Sequence, residues 1–224
     1  MLLGNDLKIL IVTPHFYPEN FRINDFAMEF QKKGHEITVL TAIPDYPEGK
    51  FYDGYGLFKK NREIYNGIKI YRAPLIPRGS GSNIRLALNY ISFVIGAIFT
   101  SLFMMKNEFD IVFCNHVLEH IPDDTKAMQE LYRVLAPSGT AIVQVPYDVK
   151  RTITFEDNTI TDQSERTRIF GQYDHLRVYG MDYFKKLSSI GFEVNALDYT
   201  SGMSSDDIER YRLCKGELLP VCKK

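Results

Sequence analysis

Short apolar runs alternate with amphipathic stretches along most of this chain, and that alternation limits it to a small set of α/β folds. Lys8–Val12 (KILIV) is a compact apolar run that stops at Thr13-Pro14, the pattern of a buried parallel strand. Arg22–Lys33 puts Ile23, Phe26, Ala27 and Phe30 on one helical face, and Gly34 closes it. Further strands are predicted at Glu36–Thr41, Ile68–Ala73, Asp110–Cys114, Ala141–Val145 and Phe192–Tyr199, and helices at Asp123–Leu135 and Met181–Ile190. Ile43–Asn66, rich in Gly, Pro and Tyr, reads as a long loop, and Tyr147–Tyr179 as a polar insertion. Leu218–Cys222 offers a last strand, with an antiparallel direction left open. Repeated βα units of this kind imply a Rossmann-like, doubly wound, mostly parallel sheet with helices on both faces. No Ser/Gly linker breaks the pattern, so a single domain over residues 1–224 is expected.

The chain of 224 residues is long enough to bury a substantial core. Its formal charge of −1 supplies no basic field for nucleic acid. Cys114, Cys214 and Cys222 are widely spaced and odd in number, which suits a reducing cytoplasm rather than a disulfide framework. Met1–Leu7 is too short and polar for a signal peptide. Leu86–Met105 is a run of about 20 residues without a charge, flanked by Arg85 and Lys106. Its length admits three readings: a helix packed on the sheet, an interfacial helix giving peripheral membrane contact, or a span.

In a doubly wound sheet, ligands sit beyond the carboxyl ends of the strands. After the first strand that place is held by Thr13-Pro14-His15-Phe16-Tyr17-Pro18-Glu19-Asn20-Phe21-Arg22. An imidazole, a carboxylate and a guanidinium therefore stand just ahead of a helix N-terminus, where anions are favoured. The run KILIVTPHFYPENFRINDF, continuing through GHEITVLTAIPDYPEGKFYDGYGLFKK and NGIKIYRAPLIPRGSGSNIRLALNYISF, resembles the N-terminal domain of family-4 glycosyltransferases of bacterial surface polysaccharide synthesis. The resemblance covers about residues 7–113 and implies a saccharide acceptor held by His15, Glu19 and Arg22. The donor-binding second domain of that two-domain GT-B family has no counterpart in the sequence.

From Phe109 onward the motifs change. Phe109-Asp110-Ile111-Val112-Phe113-Cys114-Asn115-His116-Val117-Leu118-Glu119-His120-Ile121-Pro122-Asp123, then ELYRVLAPSGTAIVQVP and GQYDHLRVYGMDYFKKLSSIGFEV, resemble the second half of class I S-adenosylmethionine-dependent methyltransferases of the type 11 group. The chain is thus expected to be a hybrid, with residues 1–108 glycosyltransferase-like and 109–224 methyltransferase-like, meeting inside one strand. The methyltransferase resemblance implies S-adenosylmethionine as cofactor and a small-molecule substrate. Asn115 and His116, leaving the strand at its carboxyl end, are placed to line the cofactor. Glu119 and His120 fit an acid/base pair, joined by His175 as a catalytic candidate. Asp174, Arg177 and Tyr179 are placed to close over a substrate as a lid. His116 and His120 alone make an incomplete ligand set, so no metal is expected.

The sequence departs from the methyltransferase pattern where the cofactor is normally held. A Gly-rich turn after the first strand lets backbone approach the ligand closely. Here the turn is Pro14-His15-Phe16-Tyr17-Pro18. Asp45, several residues beyond the second strand, is the available acidic partner for a ribose. The reading that results is a methyltransferase-like protein with a substituted and impaired cofactor half. Its alternatives are an acceptor-binding glycosyltransferase half and a non-catalytic fusion remnant.

Overall fold

A computed structural model describes residues 6–79, 83–105, 108–157 and 159–224. Most of Met1–Leu7, and Lys106 at the end of the apolar run, lie outside these residues. The elements run β1 (Lys8–Val12), α1 (Arg22–Lys32), β2 (Glu36–Ala42), β3 (Arg62–Tyr65), β4 (Ile68–Ala73), α2 (Asn83–Met104) and β5 (Phe109–Asn115). A 3₁₀ turn, Leu118–His120, leads to α3 (Asp124–Val134), β6 (Leu135–Gln144), β7 (Phe155–Glu156), α4 (Gln163–Phe170) and β8 (Arg177–Val178). The chain continues through α5 (Tyr183–Ile190), β9 (Glu193–Asp198), α6 (Ser205–Arg210) and β10 (Leu218–Lys223).

Eight strands form one sheet in the order β3-β4-β2-β1-β5-β6-β10-β9. The inner strands β4, β2, β1, β5 and β6 pair in parallel, whereas β3 and β10 are antiparallel to their neighbours. This is the expected Rossmann-like α/β architecture, with the last strand antiparallel. The strand where the sequence motifs change, β5, sits at the sheet centre. It pairs with β1 from Ile9↔Ile111 to Val12↔Cys114, and with β6 from Val112↔Ala141 to Asn115↔Gln144.

The period-two alternation of the strands sorts the core into two faces. Leu10, Val12, Leu40, Val112, Cys114, Ala141 and Val143 pack with Phe93, Leu131 and Leu187 of α2, α3 and α5. Ile9, Ile11, Ile37, Val39, Ile68 and Ile70 pack with Ala27, Phe26 and Phe30 of α1. Complete burial of two such layers, at about 25 cal/mol per Å² of apolar area, is the main term holding the sheet together.

Two local features differ from the sequence expectations. The segment read as a loop to Asn66 ends in a hairpin, β3–β4, turned by Asn66 and Gly67 at φ +49° and +83°. Both residues in the left-handed region make this the tight turn that Asn-Gly favours. The polar insertion contains α4 and the small β7–β8 ladder. As for α2, it packs its Phe93 and Val94 side inward but exposes Ile95, Phe99, Leu102 and Phe103. Among the described residues no helix is long and apolar enough to cross a membrane.

Candidate functional site

The carboxyl ends of β1 and β5, adjacent at the sheet centre, open into a cleft of about 480 Å³. Its walls come from the turn after β1 (Thr13–His15), the start of α1, Tyr46, Arg78, Tyr90 of α2, the turn after β5 and the Gln172–Asp174 segment. Residues from both sides of Phe109 therefore build one site.

The β1 turn is rigidly held. His15 Nδ1 lies 2.7 Å from Glu19 Oε2, and Glu19 Oε1 accepts the backbone N–H groups of Asp45 and Tyr46 at 2.9 and 2.8 Å. His15 Nε2 lies 3.1 Å from Arg78 Nη2. A guanidinium can only donate, so Nε2 is the acceptor and Nδ1–H is the donor to Glu19. Both imidazole nitrogens are thus engaged, and the ring stacks on Phe21 at 4.7 Å. Glu19 is 3% exposed and serves as an internal anchor for the 45–46 backbone. Arg22 lines the cleft at the first turn of α1.

Asp45 does not face the cleft. It is buried, its Oδ2 accepts from the Arg78 backbone N–H at 2.9 Å and from Asn89 Nδ2 at 3.0 Å, and burial raises its pKa against the lowering effect of Arg78. The carboxylate expected to meet a ribose is instead a brace between the β2 loop and α2.

No local motif marks Arg78, yet with Arg22 it brings a guanidinium to this site. Its guanidinium lies 3.3 Å from the Tyr90 hydroxyl and over the rings of Tyr46 and Tyr90. Tyr90 in turn donates to Asp174 Oδ2 at 2.6 Å and stacks on His120 at 4.9 Å. These links join positions far apart in sequence, which is why no local motif reveals them.

On the β5 side, Asn115 and His116 line the cleft. His116 adopts φ +53°, uncommon for a residue with a side chain, and its backbone N–H is held by Gln144 O at 3.0 Å. Its Nδ1 lies 3.1 Å from Glu119 Oε1, and that hydrogen bond raises its pKa. Glu119 is 1% exposed, and its Oε2 is buried with no hydrogen-bond partner among the described residues. His120 and His175 meet edge to face with ring centroids 5.0 Å apart. Burial, reinforced by His120, lowers the pKa of His175. Ligating atoms of Glu119, His120 and His175 lie within 4.8 Å of one another, so His120 has neighbours that the 116/120 spacing alone did not show.

Of the expected lid, Asp174 borders the cleft, but Arg177 and Tyr179 lie in the interior at 1% and 0% exposure. Arg177 donates to the carbonyls of Leu118, Ile121 and Pro122 and to Glu156, while Tyr179 donates to Asp124. Both are framework residues behind the β5 turn, not a cover over a substrate.

The comparisons with known proteins follow this geometry. A family model described as a methyltransferase domain matches residues 77–143, from the segment preceding α2 into β6. The match begins upstream of Phe109 and so crosses the boundary expected between the two halves. An S-adenosylmethionine-dependent methyltransferase from Mesorhizobium loti superposes over 98% of this chain and 91% of its own, at 12% identity and a TM-score of 0.54. The 1,6-didemethyltoxoflavin-N1-methyltransferase of Burkholderia thailandensis, solved with bound 1,6-didemethyltoxoflavin and S-adenosylhomocysteine, gives a TM-score of 0.53 at 12% identity, over 99% of this chain and 72% of its own. In sequence, a protein named as a colanic acid biosynthesis glycosyl transferase, WcaI of Escherichia coli K12, is 28% identical over 97 residues, 42% of this chain. The chain covers 24% of that relative's length. The fold is therefore the Rossmann-like fold of S-adenosylmethionine-dependent methyltransferases.

Proposed function

We propose that the chain is a methyltransferase-like small-molecule binding protein in which the cofactor end of the cleft has been rebuilt and no longer holds S-adenosylmethionine tightly. One observation carries this reading: the turn that should cradle the cofactor is filled by its own side chains. His15 is locked between Glu19 and Arg78 and stacked on Phe21. Close approach of backbone to a ligand needs the absence of a side chain, which is why glycines serve there. Asp45, the carboxylate expected to meet a ribose, is taken up by the Arg78 backbone and Asn89. The residues present do not fit a tight adenosylmethionine site. Asn115, His116 and His120 keep the β5 half of the cleft polar.

A second reading, acceptor binding of the saccharide kind, is favoured by the cations and rings on the opposite wall. Arg22, Arg78, Phe21, Tyr46 and Tyr90 form a surface suited to a phosphorylated or carboxylated sugar, which pairs charge with Arg and stacks its apolar face on rings. The similarity to WcaI supports it, and the exposed apolar stripe of α2 is compatible with an acceptor presented near a membrane.

Isothermal titration of the full chain separates these readings. S-adenosylmethionine and S-adenosylhomocysteine are expected to bind no tighter than about 1 mM, or about 4 kcal/mol. Micromolar binding of either would overturn the proposal. Saturable binding of glucose 1-phosphate that is lost in Arg78→Gln would support the second reading.

A further inference from the structure

Behind the cleft, the cluster of Glu119, His120 and His175 has the construction of a cation site, and we propose that it binds one divalent transition-metal ion, zinc being the reference case. The inference stands on this cluster alone and does not depend on methyl transfer or on a saccharide ligand.

The first observation is an unsatisfied acceptor. Glu119 is 1% exposed, its Oε1 is near His116 Nδ1, and its Oε2 has no hydrogen-bond partner among the described residues. A buried carboxylate oxygen left unpaired loses its hydration without replacement, and native structures almost always supply a donor, a water or an ion. The second observation is the orientation of the two rings. His120 Nδ1 lies 3.3 Å from the Asp174 carbonyl oxygen, and His175 Nδ1 lies 3.2 Å from that of Phe170. A carbonyl accepts only, so each Nδ1 carries the proton and each Nε2 keeps a free lone pair. Holding a ligating histidine by its other N–H on a backbone carbonyl is the arrangement that fixes tautomer and ring direction in metal sites.

The third observation is convergence. The carboxylate oxygen and the two imidazole nitrogens lie within 4.8 Å of one another, and the His120 and His175 rings stand at 76°. A bound ion at about 2.0–2.2 Å from each ligand would draw them closer by side-chain rotation. Two imidazoles and one carboxylate suit zinc, iron, cobalt or nickel, whereas magnesium and calcium favour all-oxygen sets. Three protein ligands leave a position open, and His120 is the member of the set that also borders the cleft.

The turn that presents Glu119 and His120 is itself held from behind. Arg177 grips the carbonyls on either side of the pair, at Leu118 and Ile121, with N···O distances of 2.8 and 2.5 Å. Preorganisation of this kind reduces what an ion must order on binding.

The test uses the full chain in a Cys214→Ser background, because Cys214 is exposed and thiolate is a competing zinc ligand. Chelator-stripped protein is titrated with Zn²⁺ against a chromophoric competitor, with circular dichroism confirming that each variant folds. One equivalent is expected to bind. His175→Ala and Glu119→Gln should each weaken it by more than the roughly 10–100-fold that loss of a supporting partner costs. His35→Ala, remote from the cluster, should leave it unchanged. Ring ¹⁵N spectra should show Nε2 of His120 and His175 shifting on saturation while both Nδ1–H groups persist. Absence of uptake in the Cys214→Ser chain, or uptake indifferent to His175→Ala and Glu119→Gln in folded protein, would overturn the proposal.

Discussion

The Tyr90 hydroxyl donates to Asp174 Oδ2 at 2.6 Å, tying α2 to the segment ahead of β8 across 84 residues of sequence. The phenol is well buried, and burial pushes its pKa far up, so it acts as a neutral donor throughout the physiological range. Asp174 is 7% exposed and its other oxygen has no hydrogen-bond partner among the described residues. Tyr90→Phe would leave a buried carboxylate short of its close donor, at a cost of about 1–3 kcal/mol. Urea denaturation of the two chains measures it, and an unchanged midpoint would show that water replaces the phenol.

Gly96 in α2 faces the chain at the end of β4. A methyl group placed there would meet the Pro74 carbonyl oxygen at 2.2 Å, a backbone atom that cannot swing aside. Alanine is the better helix former by about 1 kcal/mol, so propensity alone favours Gly96→Ala. Overpacking against backbone costs about 1–3 kcal/mol and should win. Thermal melts are expected to show the variant less stable; a rise in Tm would mean that α2 does not sit this close to β4.

Much of this fold is legible in the sequence because β1 and β2 are buried on both faces and read as continuous apolar runs, while β4 and β5 keep enough apolar and β-branched residues to stand out. β1, β2, β4 and β5 fall where KILIV, EITVLT, IKIYRA and DIVFC place them. The β3–β4 hairpin was obscured by the Gly, Pro and Tyr content ahead of it, although Asn66-Gly67 between two β-rich runs was the available signal. The site was half legible. Asn115, His116, Glu119 and His120 follow a strand directly, so their position comes from chain order alone. Tyr90 reaches the cleft only through packing of α2 on the sheet, and Arg78 from the segment after β4, where Asp45 holds its backbone N–H; nothing local marks either. Arg177 and Tyr179 were misplaced for the opposite reason: polar residues in a polar insertion look exposed until the carbonyls they serve are known.

Asp45 makes stability depend on pH in a defined direction. Its folded pKa is raised above the ordinary 3.8, chiefly by burial. A raised carboxyl binds its proton more tightly when folded, so its contribution is fully present below 3.8 and is lost as pH rises through the folded value. The difference in unfolding free energy, wild type minus Asp45→Asn, should therefore fall with pH above 3.8 and then level off. Denaturation of both chains at several values from about pH 4 to about pH 8 tests this. A difference that grows with pH would mean that Arg78 outweighs burial.

Arg177 carries the last prediction, because its charge is spent on backbone rather than on substrate. Fully buried, it donates to Leu118, Ile121 and Pro122 carbonyls and pairs with Glu156 at 2.9 Å, with Asp124 at 3.9 Å. Removing one member of a buried ion pair costs about 3–5 kcal/mol, since the remaining groups lose their donor without regaining water. Arg177→Met is expected in that range. Arg177→Lys should recover little of it, because a single ammonium cannot span three carbonyls and a carboxylate with the geometry of a planar guanidinium. The loss should be local before it is global: amide hydrogen exchange at Leu118–Ile121 is expected to rise more in Arg177→Lys than exchange in β1 or β2. Equal protection of that turn in the lysine variant would show that the Glu119–His120 segment is held by β5 and α3 alone.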